Sequence, residues 1–248
     1  MLKGSNICVI DTECLYSADD CRHCHKELRG HYANGACEPW IGDKPADTIT
    51  QFSPLGWNDK PALGLSIGCF FDYADSRLHW FDHWTLEATL RDYVTRAPLL
   101  VSFNGIAHDF PLMRGLLRRA ADAGEECLAW CAGIHALCDT FKTLCATSYD
   151  ILAAIWMVDP ARKFEKGLNS LGAISVANDL GAKEMDGATA PRLWAQGRHA
   201  EVLNYCASDV YKTKGLFELI ITQGSLLRGD GLPITLPRPV FPLREEVY

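Results

Sequence analysis

The pattern of apolar and polar positions divides the chain into alternating short and long periods. Asn6–Thr12 (NICVIDT) is a short apolar run rich in β-branched residues and predicts a buried strand. Periodicity is then lost from Glu13 to about Pro61, a stretch rich in Cys, His, Gly, Pro and Asp that predicts a long inserted loop. Leu63–Tyr73 predicts a second strand, Ala74-Asp75-Ser76 a turn, and Arg77–Phe81 a third strand that completes a hairpin. Leu86–Thr95 has the spacing of an amphipathic helix, and Pro98 precedes a fourth strand, Leu99–Phe103. Asn104-Gly105 ends that strand. Leu112, Met113, Leu116 and Leu117 then give a helical period over Phe110–Ala121.

Glu125–Thr147 predicts a helix carrying four cysteines, and Tyr149–Met157 fits a strand or a helix equally. Leu168–Asn178 and Ala200–Gln223 predict two more helices, the second with Val202, Leu203, Val210, Leu216, Leu219 and Ile220 as its apolar positions. The segment after Gly224 holds four prolines and is expected to be extended. Strands, a helix, a strand and then mostly helices predict an α/β fold with a mixed sheet.

Composition narrows the function classes. The chain has 248 residues, 48% of them apolar and 22% charged, the proportions of a globular protein with a core. The length suits one large domain, or one with insertions. No apolar run reaches the roughly 18 residues of a membrane span, and the N-terminus shows no signal-peptide pattern. An intracellular, cytoplasmic protein with no membrane partner is expected. The formal net charge of −7 argues against a broad basic surface that coats nucleic acid. Eleven cysteines without a secretion signal point to metal ligands or buried thiols, not to a disulfide framework.

Three acidic stretches carry the candidate chemistry. Asp11 and Glu13 are two apart on the first strand, so their side chains share a face. Like charges this close repel unless a cation neutralises them, which suits a hard divalent ion. They could equally be two solvated carboxylates. Asp109, within Asn104-Gly105-Ile106-Ala107-His108-Asp109-Phe110-Pro111-Leu112, stands where a helix follows a strand end. It could be a helix N-cap or point into a site at the sheet edge. Tyr205 and Asp209, in Tyr205-Cys206-Ala207-Ser208-Asp209, are one helical turn apart on one face.

Taken together, V-I-D-T-E-C, F-N-G-x-x-x-D-F-P-L and Y-C-x-x-D-V resemble the three motifs of the DEDD superfamily of 3′–5′ exonucleases, in the family's order and spacing. The second motif is similar to the proofreading exonuclease domain of family B polymerases and its stand-alone relatives. Leu168-Asn169-Ser170-Leu171, Lys183 and Leu193-Trp194 resemble the stretch leading to the third motif. Tyr205, four residues before Asp209, matches the tyrosine subclass (DEDDy). The histidine subclass has His one position earlier, where this chain has Asn204.

The resemblance covers roughly residues 6–222 and implies an RNase H-like mixed sheet flanked by helices. It places the exonuclease domain at 1–224, with a Cys/His-rich insertion at 14–61 and an extended tail at 225–248. It also implies that Asp11, Glu13, Asp109 and Asp209 bind two divalent metal ions, Mg²⁺ or Mn²⁺, for an in-line displacement. Tyr205 would orient the attacking water, and nucleoside 5′-monophosphates would leave from the 3′ end. Asn104, Phe110 and Leu112 would contact the terminal nucleotide, and Lys183 could meet a phosphate or solvent. Single-stranded DNA is the expected substrate. RNA is the alternative, and a catalytically silent module binding nucleic acid or protein is the rival outside the enzyme class. The family usually has an aromatic residue where this chain has His108, a change that suits packing or a polar contact to substrate. Arg114, Arg118 and Arg119 could help hold a backbone or form a solvated helix face.

The cysteines fall into two groups. In the insertion, Cys21-x2-Cys24 is a zinc-type turn, and His31 with Cys37 would complete a Cys₃His structural site. Cys14 in place of His31 would make it Cys₄, and free thiols are the other reading. Cys21–His25 also fits a haem attachment pattern, which the absence of an export signal disfavours. Cys127, Cys131, His135 and Cys138 have helical spacing and read as core packing, as do Cys8, Cys69 and Cys206.

Overall fold

The computed structural model describes residues 2–15, 63–124, 128–185 and 187–239. Its centre is a five-stranded mixed sheet in the order β3-β2-β1-β4-β5. The strands are β1 (Ile7–Cys14), β2 (Leu65–Asp72), β3 (Arg77–Phe81), β4 (Leu99–Ser102) and β5 (Tyr149–Asp150). β1 runs antiparallel to β2 and parallel to β4. Among the described residues the sheet is flanked by seven α-helices: α1 (Leu86–Arg96), α2 (Asp109–Asp122), α3 (Leu128–Ala146), α4 (Ile151–Val158), α5 (Leu171–Ala177), α6 (Ala190–Ala195) and α7 (His199–Gln223). This is an α/β architecture consistent with the RNase H-like fold.

The strand period of two sorts the core onto two faces. Ile7 and Val9 of β1 pack with Ile67, Cys69 and Phe71 of β2 and Val101 of β4 under α7, α4, α5 and α6. Cys8 and Ile10 face the other way, with Leu100, under α1, α2 and α3. Residues of α7 recur on its buried side at Val202, Tyr205, Cys206, Asp209, Val210, Thr213, Leu216, Phe217 and Ile220, a period of three to four that lays the helix along β1 and β2. Each large aliphatic side chain so buried contributes about 1.5–3 kcal/mol. Gly224, in the left-handed region at φ 74°, ends α7, its N–H donating to the Ile220 carbonyl.

Two segments are more ordered than their sequences predict. Tyr149–Met157 resolves into both alternatives, a two-residue strand followed by a helix. Asp150 accepts the Ala153 N–H and caps α4. Part of the tail after Gly224 is a hairpin of β6 (Ser225–Leu227) and β7 (Pro233–Thr235). Its Leu226, Ile234 and Leu236 are buried in the α7-side cluster. Prolines are tolerated because β7 is an edge strand. Cys21, Cys24, His31 and Cys37, the ligands expected for a structural zinc, lie outside the described residues, as does Cys127. Cys14 is buried at the end of β1, its Sγ 3.5 Å from His108 Nε2. Cys138 is buried among the α3 contacts, and Cys131 packs against the same cluster. No described helix is long and apolar enough to cross a membrane.

Candidate active site

The site forms where β1 outruns its parallel neighbour. β1 pairs with β4 only as far as Val9 opposite Val101. Beyond that point the Thr12 N–H has no strand to bond on that side. Asp109 takes it: the Asp109 carboxylate accepts the Thr12 N–H at 2.9 Å through Oδ1, and the Thr12 hydroxyl donates to the same oxygen. Strand alternation then decides which carboxylates meet. Asp11 and Glu13 continue the face of Ile7 and Val9, toward α7. Asp109 comes from α2, whose apolar residues cover the opposite face, and reaches around the open edge.

The loop that carries Asp109 is braced from below. Asp150 accepts the backbone N–H groups of Asn104 and Ile106, both at 3.0 Å. Asn104 is in the left-handed region at φ 73°. A Cβ on Gly105 would collide with Ser102 and lie 3.3 Å from Asp109 Oδ2, so the Asn-Gly pair is needed for the turn and for close approach. Phe110 and Leu112 point into the α2-side core. Phe110 also lines a cavity of about 380 Å³ with Ile106, Arg114, Phe141 and Lys142. Asn104 is half-buried. Arg118 pairs with Asp139 at 3.4 Å on the outer surface.

Asp209 and Tyr205 project from α7 over Asp11 and Glu13. Glu13, Asp109, Asp209 and Tyr205 are buried, and Asp11 is half-buried. Three of these carboxyls, Asp11, Glu13 and Asp109, have raised pKa values. The Asp11 pKa lies well above the ordinary range through burial and then the charges of Asp109, Glu13 and Asp209. Glu13 is raised by burial and Asp209. Asp109 is pushed up to about 6 by burial, against the Thr12 hydrogen bonds that lower it. The Tyr205 hydroxyl is raised by burial and by Glu13, Asp209 and Asp11, so it keeps its proton.

Lys183, in the segment before α6, enters this cluster, its Nζ 2.6 Å from Asp209 Oδ2 and 5.0 Å from the centre of the Tyr205 ring. The ligand atoms of Asp11, Glu13 and Cys206 lie within 4.8 Å of one another. The Cys206 thiol also donates to the Asp11 carbonyl at 3.5 Å. Asp209 Oδ1 is buried and has no hydrogen-bond partner among the described residues. An orphaned carboxylate oxygen, clustered carboxylates and an intruding ammonium fit a place for cations.

The structure therefore brings Asp11, Glu13, Asp109, Asp209 and Tyr205 together from three distant stretches. Motif reading passes over Thr12, Asp150 and Gly105, which hold the constellation in place. Of these, Asp150 has a local signal, an Asp directly before an apolar helical run.

A model of the family described as "Predicted 3′-5′ exonuclease related to the exonuclease domain of PolB" matches residues 81–227, more than half of the chain. The matched span contains Asp109, Tyr205 and Asp209 and begins after β1, the strand that carries Asp11 and Glu13. No curated protein and no solved structure matches the chain significantly. The chain belongs to the family of predicted 3′–5′ exonucleases related to the exonuclease domain of PolB.

Proposed function

We propose that the protein is a metal-dependent 3′–5′ exonuclease that removes nucleoside 5′-monophosphates from single-stranded DNA. Membership of the family supports nuclease activity on a nucleic acid. The observation that supports the finer reading is the convergence of four carboxylates around Asp11 with an orphaned oxygen on Asp209. Burial and mutual repulsion disfavour ionisation of this group, so its ionised form needs compensating cations.

Asp11, Glu13, Asp109 and Asp209 would hold two divalent ions. Such a pair, when bound, supplies an activated water and a counter-charge at the leaving 3′ oxygen. The protein's own residues do the rest. Thr12 fixes one Asp109 oxygen through its N–H and hydroxyl. Tyr205, which keeps its proton beside Glu13 and Asp209, has a buried hydroxyl placed to hold the attacking water or a phosphate oxygen. It serves as a hydrogen-bond group and not as a base. Asn104, at the rim of the loop, is the best placed of the three expected nucleotide contacts, because Phe110 and Leu112 are largely committed to the core. A structural zinc in the 14–61 insertion remains part of the proposal.

The test is digestion of 5′-labelled single-stranded DNA, and of RNA in parallel, with Mg²⁺, Mn²⁺ or EDTA. A metal-dependent ladder from the 3′ end of DNA is expected. Preference for RNA would correct the substrate, and no ladder on either would overturn the activity.

A further inference from the structure

Lys183 is a second kind of charge in the cluster. Its ammonium pairs with Asp209 at 2.6 Å and lies over the Tyr205 ring. Besides Asp209, it acts on Asp11 and Glu13, and it is the one positive charge among the largest influences on each of those two. Its placement is built from two sides. Its stem lies on α5 at Gly172, where a Cβ would come within 3.1 Å of Lys183 Cγ, so a larger residue there would push the lysine away. Its head is sandwiched between the Tyr205 ring and the Asp209 carboxylate. About a third of the side chain stays exposed, which leaves it a path out to solvent. Asp209 Oδ2 is thus engaged by the ammonium while Oδ1 is buried and unpartnered. An ion that took both Asp209 oxygens would compete with the ammonium for Oδ2.

We propose that Lys183 is a tethered counter-ion that holds Asp209 in the metal-free protein and is displaced when a divalent ion binds, so that it sets the metal affinity of the site. This rests on the metal-binding reading above. A +1 charge next to an incoming +2 charge opposes its binding. The same +1 charge lowers the repulsion among the carboxylates when no ion is present. Lys183 therefore stabilises the metal-free site and weakens metal uptake, two effects of one contact. It is a positioning residue, acting through Asp209.

The test needs no nucleic acid. Mn²⁺ binding to the full chain is followed by electron paramagnetic resonance at pH 8. Lys183→Met keeps the stem and removes the charge, and should bind Mn²⁺ more tightly by at least about fivefold. Lys183→Arg keeps the charge and should stay close to the wild type. Equal or weaker binding by Lys183→Met, with the wild type binding normally, overturns this proposal and leaves the exonuclease reading intact. Absence of Mn²⁺ binding in both proteins overturns both. A second measurement uses the wild type alone and is independent of whether a variant folds. Reductive methylation of Lys183, read by mass spectrometry, should be slow in EDTA and several-fold faster with Mn²⁺, while Lys3 and Lys142 serve as controls. Equal rates at Lys183 in the two conditions would refute displacement.

Discussion

The two faces of the sheet are built from the same strands and do different work. Under α1, α2 and α3 the β1 contacts are apolar at Cys8, Ile10 and Cys14, interrupted only by Thr12, which turns to Asp109. Under α7 the alternation starts the same way, with Ile7 and Val9, and then turns acidic at Asp11 and Glu13. α7 shows the same change along its buried side. Leu216, Phe217 and Ile220 pack apolar surface, while Tyr205 and Asp209 nearer its start face the carboxylates. One face thus stabilises the fold, and the other carries buried charge that opposes folding until it is compensated. The lesson is that a site is placed by interrupting a core pattern at a strand end, where the neighbouring strand has already stopped.

The division predicts its largest effect in catalysis. Asp209→Ala should lower exonuclease activity by at least about 10²-fold, on the scale of removing one preorganised electrostatic group. Retention of wild-type activity would place the chemistry elsewhere.

The next effect is in the pH dependence of stability. Asp11, Glu13 and Asp109 all have folded-state pKa values above their unfolded ones. A raised carboxyl pKa means that the folded state holds the proton more tightly. The stability this contributes is fully present below about pH 4 and is lost as pH rises through the folded values, about 6 for Asp109 and higher for Asp11 and Glu13. For Asp109 alone the change is on the order of 3 kcal/mol. Urea denaturation in EDTA should therefore show stability falling from pH 5 to pH 8, and saturating Mn²⁺ should reverse the trend. A pH-independent midpoint in EDTA would contradict the burial of these charges.

How much of this was legible in the sequence depends on whether the signal is local. β1, the β2–β3 hairpin and α7 follow from period and turn chemistry, because each buries one regular face. The three motifs name the carboxylates. The sequence does not show how Asp109, on the helix layer of one face, reaches charges that point to the other. That depends on where the β1–β4 pairing ends, a matter of register between strands some 90 residues apart. Lys183 was visible as a residue but not as the partner of Asp209, since nothing local links position 183 to a helix beginning at His199. Asp150 looked like the edge of an ambiguous apolar run, and only its hydrogen bonds to Asn104 and Ile106 reveal it as the brace of the second motif.

A smaller effect tests the junction between the faces. Thr12→Val removes one of the two donors to Asp109 Oδ1 and keeps the shape. Loss of a hydrogen bond to a charged acceptor is worth about 2 kcal/mol. The Asp109 pKa should rise further above 6, and Mn²⁺ affinity at pH 7 should drop by roughly tenfold, while activity recovers as pH increases. The recovery separates a lost donor from a distorted strand, because distortion would not titrate away.

The smallest effect is the sharpest check on the division of labour. Ile10 is one residue from Asp11, fully buried, and faces α2 and not α7. Ile10→Val removes one methylene from the apolar face and should cost about 1 kcal/mol of folding stability. If the faces are independent, Mn²⁺ affinity and the metal-saturated rate should be unchanged, since Asp11 is held from the other side by its pairing opposite Cys69. A rate or affinity that moved with this methylene would mean that packing under α2 sets the carboxylate geometry. The two faces would then be one mechanical unit, joined through the strand that carries both Ile10 and Asp11.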